Sequence, residues 1–129
     1  MRIIPGLFLL VALAGCSHPG WSYLQKGDYR AAEIAFHDML RNEPKEGAYI
    51  GLHKSYVGLA KLDSAEYFLK EGLRIYPKDE FINFCAAQYY SNIVHNDSLG
   101  KIYLQKTKGL AGPKMGEKME ESIQKDKTK

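Results

Sequence analysis

The sequence predicts an all-α protein, a short solenoid of helical hairpins closed by a C-terminal capping helix. Three observations support this prediction. A pattern of aromatic and small residues recurs after 33 residues. Apolar residues within each copy are spaced by three and four, which places them on one face of a helix. A proline closes each of the first two copies, and a helix that cannot bury its apolar face alone must stack on a neighbour.

The first 15 residues have the composition of a secretory signal peptide. One basic residue, Arg2, precedes an apolar run over 3–14, and small residues lead up to Cys16. This run is shorter than the roughly 20 apolar residues that a membrane-spanning helix needs. An alternative is a first helix in a cytosolic core, with Cys16 as a packed thiol. The charged start and the abrupt change to polar sequence favour export.

The end of this segment, Leu13-Ala14-Gly15-Cys16, resembles the lipobox of bacterial lipoproteins. The resemblance implies cleavage before Cys16 and fatty acylation of that residue, and two or more buried chains give stable anchoring. We therefore expect a cell-envelope protein attached to the membrane through its N-terminal lipid. Ser17 after the cysteine favours the outer membrane and a domain that faces the periplasm, as in Gram-negative lipoproteins. Only two residues precede Pro19, a reach of roughly 7 Å, so the domain would lie close to the bilayer.

The repeat is defined by five positions that recur at an interval of 33: Tyr23, Ala32, Phe36, Leu40 and Pro44 correspond to Tyr56, Ala65, Leu69, Leu73 and Pro77. Tyr89 follows Tyr56 by the same interval and indicates a third copy. The copies span 16–45, 46–79 and 80–110. The third copy is degenerate, with a second helix near Asp97 and its closing proline displaced to Pro113, as is common for end repeats.

Two helix starts are predicted from local signals. Proline is well tolerated at a first helical position, so the first helix is expected to open at Pro19. In the turn LAKLDSAE, Asp63 is placed to cap the next helix, and Glu66 would complete a pair like a capping box.

The two complete copies resemble the tetratricopeptide repeat (TPR). In the second copy, the positions that the family pattern specifies are occupied by Tyr49, Leu52, Tyr56, Ala65, Leu69 and Pro77. His53 and Gly72 depart from the residues that the family prefers there. The resemblance implies a right-handed stack of hairpins whose first helices line a concave groove, which usually binds an extended or helical peptide.

The resemblance also implies which residues face that groove. They are Trp21, Leu24 and Gln25 in the first copy, Ile50, Lys54 and Val57 in the second, and Asn83, Phe84, Tyr90 and Ser91 in the third. Aromatic residues are the commonest anchors of binding partners, so the expected partner is another envelope protein or a peptide from it. Few of these groove residues are charged, which argues against the type of TPR groove that holds the C-terminus of a peptide with several Lys, Arg and Asn side chains.

Two alternatives remain open for these aromatic residues. A stripe of aromatics at helical spacing is also typical of a protein core. In that case the C-terminal helix would fill the groove, and the protein would be a structural domain that associates with copies of itself or with a larger machine. Glycan binding is a further interpretation, since planar rings stack on sugars, although no polar cluster accompanies them.

The C-terminal stretch over 111–129 is predicted to form the capping helix. Met115, Met119 and Ile123 are four residues apart and define its apolar face. Beyond Lys125 the tail is expected to fray. In the alternative interpretation, the methionines contact a partner, because methionine is common at adaptable surfaces.

Charge and motifs give no sign of nucleic-acid binding or of catalysis. The formal net charge is +3, and removal of Arg2 with the signal peptide would leave +2, with no dense basic block. The four histidines lack the spacing of a zinc site, and there is no phosphate-binding loop. Cys85 is expected to be a buried hydrophobe, because no histidine base is fixed beside it by sequence. We expect no enzyme, no metal and no cofactor.

Overall fold

The computed structural model describes residues 18–128, and this part of the chain is helical throughout with no strand. The all-α prediction is thereby confirmed. None of the helices within 18–128 combines the length and apolarity that crossing a bilayer would take. Cys16 and the predicted signal peptide lie outside the described residues. The seven helices are α1 (Pro19–Gln25), α2 (Tyr29–Asn42), α3 (Glu46–Gly58), α4 (Leu62–Ile75), α5 (Glu80–Gln88, continued by a π-helical turn at Tyr89–Ile93), α6 (Asp97–Ala111) and α7 (Pro113–Lys127).

Several helix starts follow from side-chain caps. The carboxylates of Asp28 and Asp79 accept hydrogen bonds from the third residue of α2 and of α5, at 3.2 and 2.9 Å. Asn96 caps α6 in the same way, at 3.1 Å, so the predicted start near Asp97 is correct. Pro19 opens α1, as predicted. Each cap satisfies a backbone N–H that has no partner inside its helix.

The capping prediction for α4 is wrong. This helix starts at Leu62, and its N-cap, Lys61, makes no side-chain capping bond. Asp63 lies inside the first turn, where its charge is favourable to the helix dipole. Glu66 does not complete a capping box; its Oε1 accepts a hydrogen bond from the hydroxyl of Tyr90 at 3.2 Å.

The helices form three hairpins, α1–α2, α3–α4 and α5–α6, in which each helix packs on its neighbours along the chain. The first helices α1, α3 and α5 also contact one another in order. Each hairpin turn contains one residue in the left-handed region, Gly27, Ala60 or His95, with φ of 75°, 58° and 58°. The first two turns also share a bond from the N–H of the next residue to a carbonyl five residues earlier, whereas in the third turn this interval is six.

The third hairpin is offset by two residues from the predicted interval. The turn residues are 33 apart and then 35 apart, and so are the starts of α2, α4 and α6. One extra residue lies in the link before α5, which has four residues against three before α3. The other is taken up by the π-helical turn, in which the N–H of Val94 bonds to the carbonyl of Tyr89. The predicted pairing of Tyr89 with Tyr56 is therefore wrong.

With this offset, the third hairpin keeps the repeat's small residue. Ala32, Ala65 and Gly100 occupy the same place near the start of α2, α4 and α6, and all three are buried. A Cβ at Gly100 would collide with the side chain of Ser91, which packs against it. The third hairpin is thus a displaced copy, and its packing position is filled by glycine.

Two apolar clusters form the core, and Trp21 and Val57 pack against both. At the centre of the first cluster, the ring of fully buried Phe36 lies between Gly20 of α1 and Gly51 of α3. The edge of Trp21 meets this ring at a centroid distance of 4.8 Å. The first cluster consists of Ala32, Phe36, Leu52, Tyr56 and Ala65, and the second of Ile50, Leu69, Ile82, Cys85, Ala86, Tyr89 and Tyr90.

Helix α7 packs on α6 and on the π-helical turn. Met119 and Ile123 are buried as predicted, but Met115 is 46% exposed, because buried Gly116 fits against Lys108 in its place. The apolar face of α7 is therefore rotated from the predicted one. The helix runs to Lys127, two residues beyond the predicted onset of fraying, and Lys127 forms an ion pair with Asp97 of α6 at 3.2 Å.

Candidate functional site

A groove of about 660 Å³ lies along the first helices of the hairpins. Its volume falls within the range of about 300–1,000 Å³ that is typical of ligand-binding clefts. Six of its fourteen wall residues are aromatic or aliphatic, and the others include three amides, one histidine, one lysine and one aspartate. The wall residues are Trp21, Leu24, Gln25, Tyr29, His53, Lys54, Val57, Gly58, Cys85, Gln88, Tyr89, Asn92, Ile93 and Asp126.

The structure places five of the ten predicted groove residues in this wall. Trp21, Leu24 and Gln25 come from α1, and Lys54 and Val57 come from α3. Trp21 is half-buried, since one edge of its ring packs on Phe36 while the side chain also borders the groove. The first two hairpins therefore agree with the prediction, except at Ile50, which is buried in the second apolar cluster.

The four residues predicted in the third hairpin lie elsewhere. Asn83 is buried, and its amide donates to the carbonyls of Pro77 and Asp79 at 3.1 and 2.7 Å, which fixes the link between α4 and α5. Ser91 is buried against Gly100. Phe84 is half-buried and is not part of the wall.

Tyr90 is a core residue, contrary to the groove assignment. Its ring stacks on that of Tyr103 with centroids 5.6 Å apart, and its hydroxyl donates to Glu66. Burial, together with the nearby Glu66 carboxylate, raises the pKa of Tyr90. The residue therefore joins α5 to α4 and α6.

The missed wall residues at the end of α5, among them Gln88, Asn92 and Ile93, follow from the offset of the third hairpin. Before the π-helical turn the interval is 34, which carries Lys54 onto Gln88, and at the end of the turn it is 35, which carries Val57 and Gly58 onto Asn92 and Ile93; all six residues are in the wall. The prediction used an interval of 33, which selects residues on other faces of α5. The one sequence signal for the longer interval is the extra residue between Pro77 and the Asp79 cap.

His53 is a neutral acceptor in the groove wall. Its Nδ1 lies 2.9 Å from the carbonyl oxygen of Ala65, so Nδ1 carries the proton and donates it. Burial, with a smaller contribution from the charge of Lys54, lowers the pKa of His53 to about 4. The ring is therefore uncharged at neutral pH, with Nε2 as an acceptor, and its edge contact with Tyr89 fixes it in place.

Asn92 carries a second acceptor. Its Nδ2 donates to the carbonyl of Ile123 in α7 at 3.3 Å, which fixes the orientation of the amide, because a carbonyl can only accept. Its Oδ1 is buried and has no hydrogen-bond partner among residues 18–128. Asp126, which follows Ile123 by three residues in α7, also belongs to the groove wall.

Cys85 is not activated for chemistry. The thiol is buried, and this burial raises its pKa, although the charge of Lys54 acts in the opposite direction. A nucleophilic cysteine needs a lowered pKa or a free base beside it. His53 borders the same groove, but its pKa of about 4 makes it a weak base. This arrangement does not favour covalent catalysis.

No group of three or more His, Cys, Asp or Glu side chains within residues 18–128 is arranged to hold a metal ion. Comparisons of the chain with protein-family models, with curated proteins and with solved structures found no match.

Proposed function

We propose that this protein is a lipid-anchored TPR lipoprotein whose groove binds a peptide segment of another cell-envelope protein. The observation that carries the proposal is the groove itself, a concave apolar surface along α1, α3 and α5 with a volume of about 660 Å³. Helix α7 contributes only Asp126 to the described wall. The C-terminal helix therefore leaves room for an occupant, which argues against the self-filled alternative.

The repeat assignment is supported by the spacing of the hairpins. Their left-handed turn residues and their small buried residues recur at the same two intervals, 33 and 35. A unit that recurs in backbone geometry and in its packing residue is what a repeat architecture requires. The solenoid in this proposal is short, with three hairpins and α7 at its end.

The membrane anchor is proposed at Cys16, with the domain on the periplasmic side of the outer membrane. Its support is the tetrapeptide Leu13-Ala14-Gly15-Cys16 together with the position of α1, which begins at Pro19. A leash of two residues would hold α1 near the membrane surface. Trp21 and Tyr23 would then lie close to the lipid headgroups, where such rings are favoured.

A second candidate function, self-association, is favoured by one feature of the outer surface. The sixth residue of α2, α4 and α6 is a large exposed apolar side chain in each case, namely Ile34, Tyr67 and Ile102, at 61%, 59% and 50% exposure. We name these three residues the outer stripe. Exposed apolar residues at repeat spacing would suit contact with another copy or with a larger assembly.

Photo-crosslinking in the native cell tests both candidates. A benzophenone amino acid is introduced at Gln88 in the groove wall, and a matched control carries it at Tyr67 in the outer stripe. The proposal expects one dominant envelope protein crosslinked from Gln88 and not from Tyr67. Crosslinks between copies from Tyr67 alone would favour self-association. The same set of proteins from both positions would contradict groove binding.

A further inference from the structure

One edge of the stack is formed by the links between successive hairpins and by the link to α7. At this edge the starts of α1, α3, α5 and α7 lie beside the ends of α2, α4 and α6. The residues that face each other across these helix ends are Gly47 and Trp21, Gly72 and Ile82, and Gly116 and Lys108. We name the segments 41–47, 74–81 and 108–115 the link edge. The hairpin turns, 26–29, 59–63 and 93–97, form the opposite edge, which we name the turn edge.

The proposed lipid anchor joins the molecule at the link edge. Pro19 is the first residue of α1, and two residues separate it from Cys16, a reach of roughly 7 Å. Helices α1, α3 and α5 pack in order, and packed helices are about 8–10 Å apart, so the start of α5 lies beyond this reach. The lipid alone would therefore hold one end of the link edge at the bilayer and leave the tilt of the domain free.

Large apolar side chains are exposed in the part of the link edge that the leash does not reach. Phe81 is the second residue of α5, and Ile75 is the last residue of α4. In the link to α7, Leu110 and Met115 are exposed as well. Aromatic and aliphatic side chains are favoured at the boundary between lipid headgroups and acyl chains. This part of the link edge therefore suits contact with a bilayer surface.

The two edges differ in charge. Six basic and four acidic side chains give the link edge a formal charge of +2. Two basic and three acidic side chains give the turn edge a formal charge of −1, with one aspartate in each of its three segments and histidine counted as neutral. Basic side chains close to a membrane are attracted by anionic phospholipid. Charge therefore favours the link edge as the side that meets the bilayer.

Each link contains an exposed proline–lysine pair, and its lysine is Lys45, Lys78 or Lys114. Lys45 pairs with Glu43 at 2.8 Å. Lys78 and Lys114 take part in no salt bridge within residues 18–128. They lie in the same two links as the exposed apolar side chains, so each link combines an apolar group with a cation that can meet a lipid phosphate.

The groove lies mainly in the half of the hairpins next to the turn edge. Its wall takes Tyr29 from the start of α2, Asp126 from the end of α7, and residues from His53 onward in α3 and from Cys85 onward in α5. Since α3 starts at Glu46, its wall residues lie at least about 10 Å along the helix from the link edge. Contact between the link edge and a bilayer would therefore leave the groove open.

We propose that the link edge docks on the surface of an anionic phospholipid bilayer, with Phe81 and Met115 among the headgroups and Lys78 and Lys114 beside lipid phosphates. The proposal rests on the proposed lipid anchor at Cys16 and goes beyond it, because it fixes the orientation of the domain. The turn edge then faces away from the membrane, and the groove is held open to a partner in the periplasm.

The probe is a vesicle of phosphatidylethanolamine and phosphatidylglycerol that includes some lipid with a nitroxide just below its headgroup. The full-length protein, purified in detergent from cell membranes, is added to these vesicles. A fluorescent dansyl amino acid is introduced at Phe81 in the link edge, and a matched variant carries it at Val94 in the turn edge. Both positions accept a bulky group, since Phe81 is 53% exposed and Val94 is 45% exposed. The nitroxide quenches dansyl at short range, so quenching reports contact with lipid.

The dansyl group in the link edge should lose most of its fluorescence to the nitroxide, and the one in the turn edge should keep it. Lys78→Glu combined with Lys114→Glu should shift the balance about tenfold or more toward the undocked state. Replacement of phosphatidylglycerol by phosphatidylcholine should shift it in the same direction. The control, Lys26→Glu combined with Lys61→Glu, reverses two exposed charges in the turn edge and should leave the quenching unchanged.

Quenching that is equal at the two positions, or stronger at Val94, would overturn the proposal. Quenching at Phe81 that is unchanged after reversal of both lysines would overturn their pairing with lipid phosphates. Flotation of the vesicles separates the proposal from the anchor on which it rests. Protein that floats with the vesicles without quenching at Phe81 would retain the anchor and overturn the docked orientation, whereas protein that does not float would contradict the anchor itself.

Discussion

The placement of Phe36 between two glycines makes a sharp prediction about α3. Gly51 and Gly47 lie on the same helix, one turn apart, but they face different surroundings. A Cβ at Gly51 would lie 2.3 Å from Cδ1 of Phe36, whereas a Cβ at Gly47 would meet its nearest neighbour, Trp21, at 3.6 Å. We therefore expect Gly51→Ala to destabilise the protein and Gly47→Ala to be neutral or stabilising.

The magnitude follows from two opposing terms. Alanine is favoured over glycine inside a helix by up to about 1 kcal/mol, and somewhat less near the helix start. Overpacking a core costs about 1–3 kcal/mol. The Phe36 ring has no room to retreat, because a Cβ built on Gly20, at the ring's other contact, already lies 2.7 Å from it. We expect Gly51→Ala to be up to about 2 kcal/mol less stable than wild type and about 1–3 kcal/mol less stable than Gly47→Ala, which has a similar gain in helix propensity without the clash.

The measurement is urea denaturation of a soluble form that begins at Ser17, followed by far-ultraviolet circular dichroism. Unchanged slopes of the unfolding free energy against urea would show that the variants unfold in the same way as wild type. The argument would be refuted if Gly51→Ala were as stable as Gly47→Ala, because the Phe36 ring would then have room that the structure does not provide.

Three further predictions concern titration, reactivity and core packing. The pKa of His53 is about 4 in the folded protein and 6.5 in the unfolded chain, so the unfolded state binds more protons between these two pH values. The free energy of unfolding should therefore fall by about 3 kcal/mol as the pH drops from 6.5 to 4. Urea denaturation across this pH range should show that His53→Gln loses less unfolding free energy than the wild type. An NMR titration in which His53 of the native protein becomes protonated near pH 6.5 would contradict this prediction. Cys85 should react with a thiol reagent much more slowly in the native protein than in urea, since the thiol is buried and its pKa is raised; equal rates would mean that the thiol is accessible. Tyr90→Ala should lower the free energy of unfolding by about 3–5 kcal/mol, as expected of a buried aromatic residue. A loss below about 1 kcal/mol would mean that Tyr90 is not a core residue.

The sequence predicted the helices well where local signals determine their ends. Pro19 opens α1, and the prolines at 44 and 77 follow the ends of α2 and α4. The start of α4 was mispredicted because Asp63 suits both the N-cap and the first turn. The contact between Glu66 and Tyr90, which are far apart in the chain, was not visible in the local pattern.

The candidate site was predictable for two hairpins and not for the third. Groove positions in α1 and α3 follow from one interval, and Trp21, Lys54 and Val57 lie in the wall, while Ile50 lies in the core. In α5, one residue added to the link and one taken up by the π-helical turn rotate the helix, so each predicted side chain points elsewhere. A π-helical turn has no clear signature in a single sequence, and a one-residue shift turns a helical side chain by about 100°.

If Cys16 carries the proposed lipid anchor, the shortness of α1 has a mechanical consequence. Any pull between the membrane and the domain would load this seven-residue helix first. It is held to the rest of the molecule by Gly20 and Trp21, which contact Phe36, and by Tyr23 and Leu24, which pack against the first apolar cluster. Under tension, α1 would peel away before the longer helices yield, and this would remove one side of the groove. A bound segment would then be released by force alone, and the single tryptophan of the chain, Trp21, would report that release by its fluorescence.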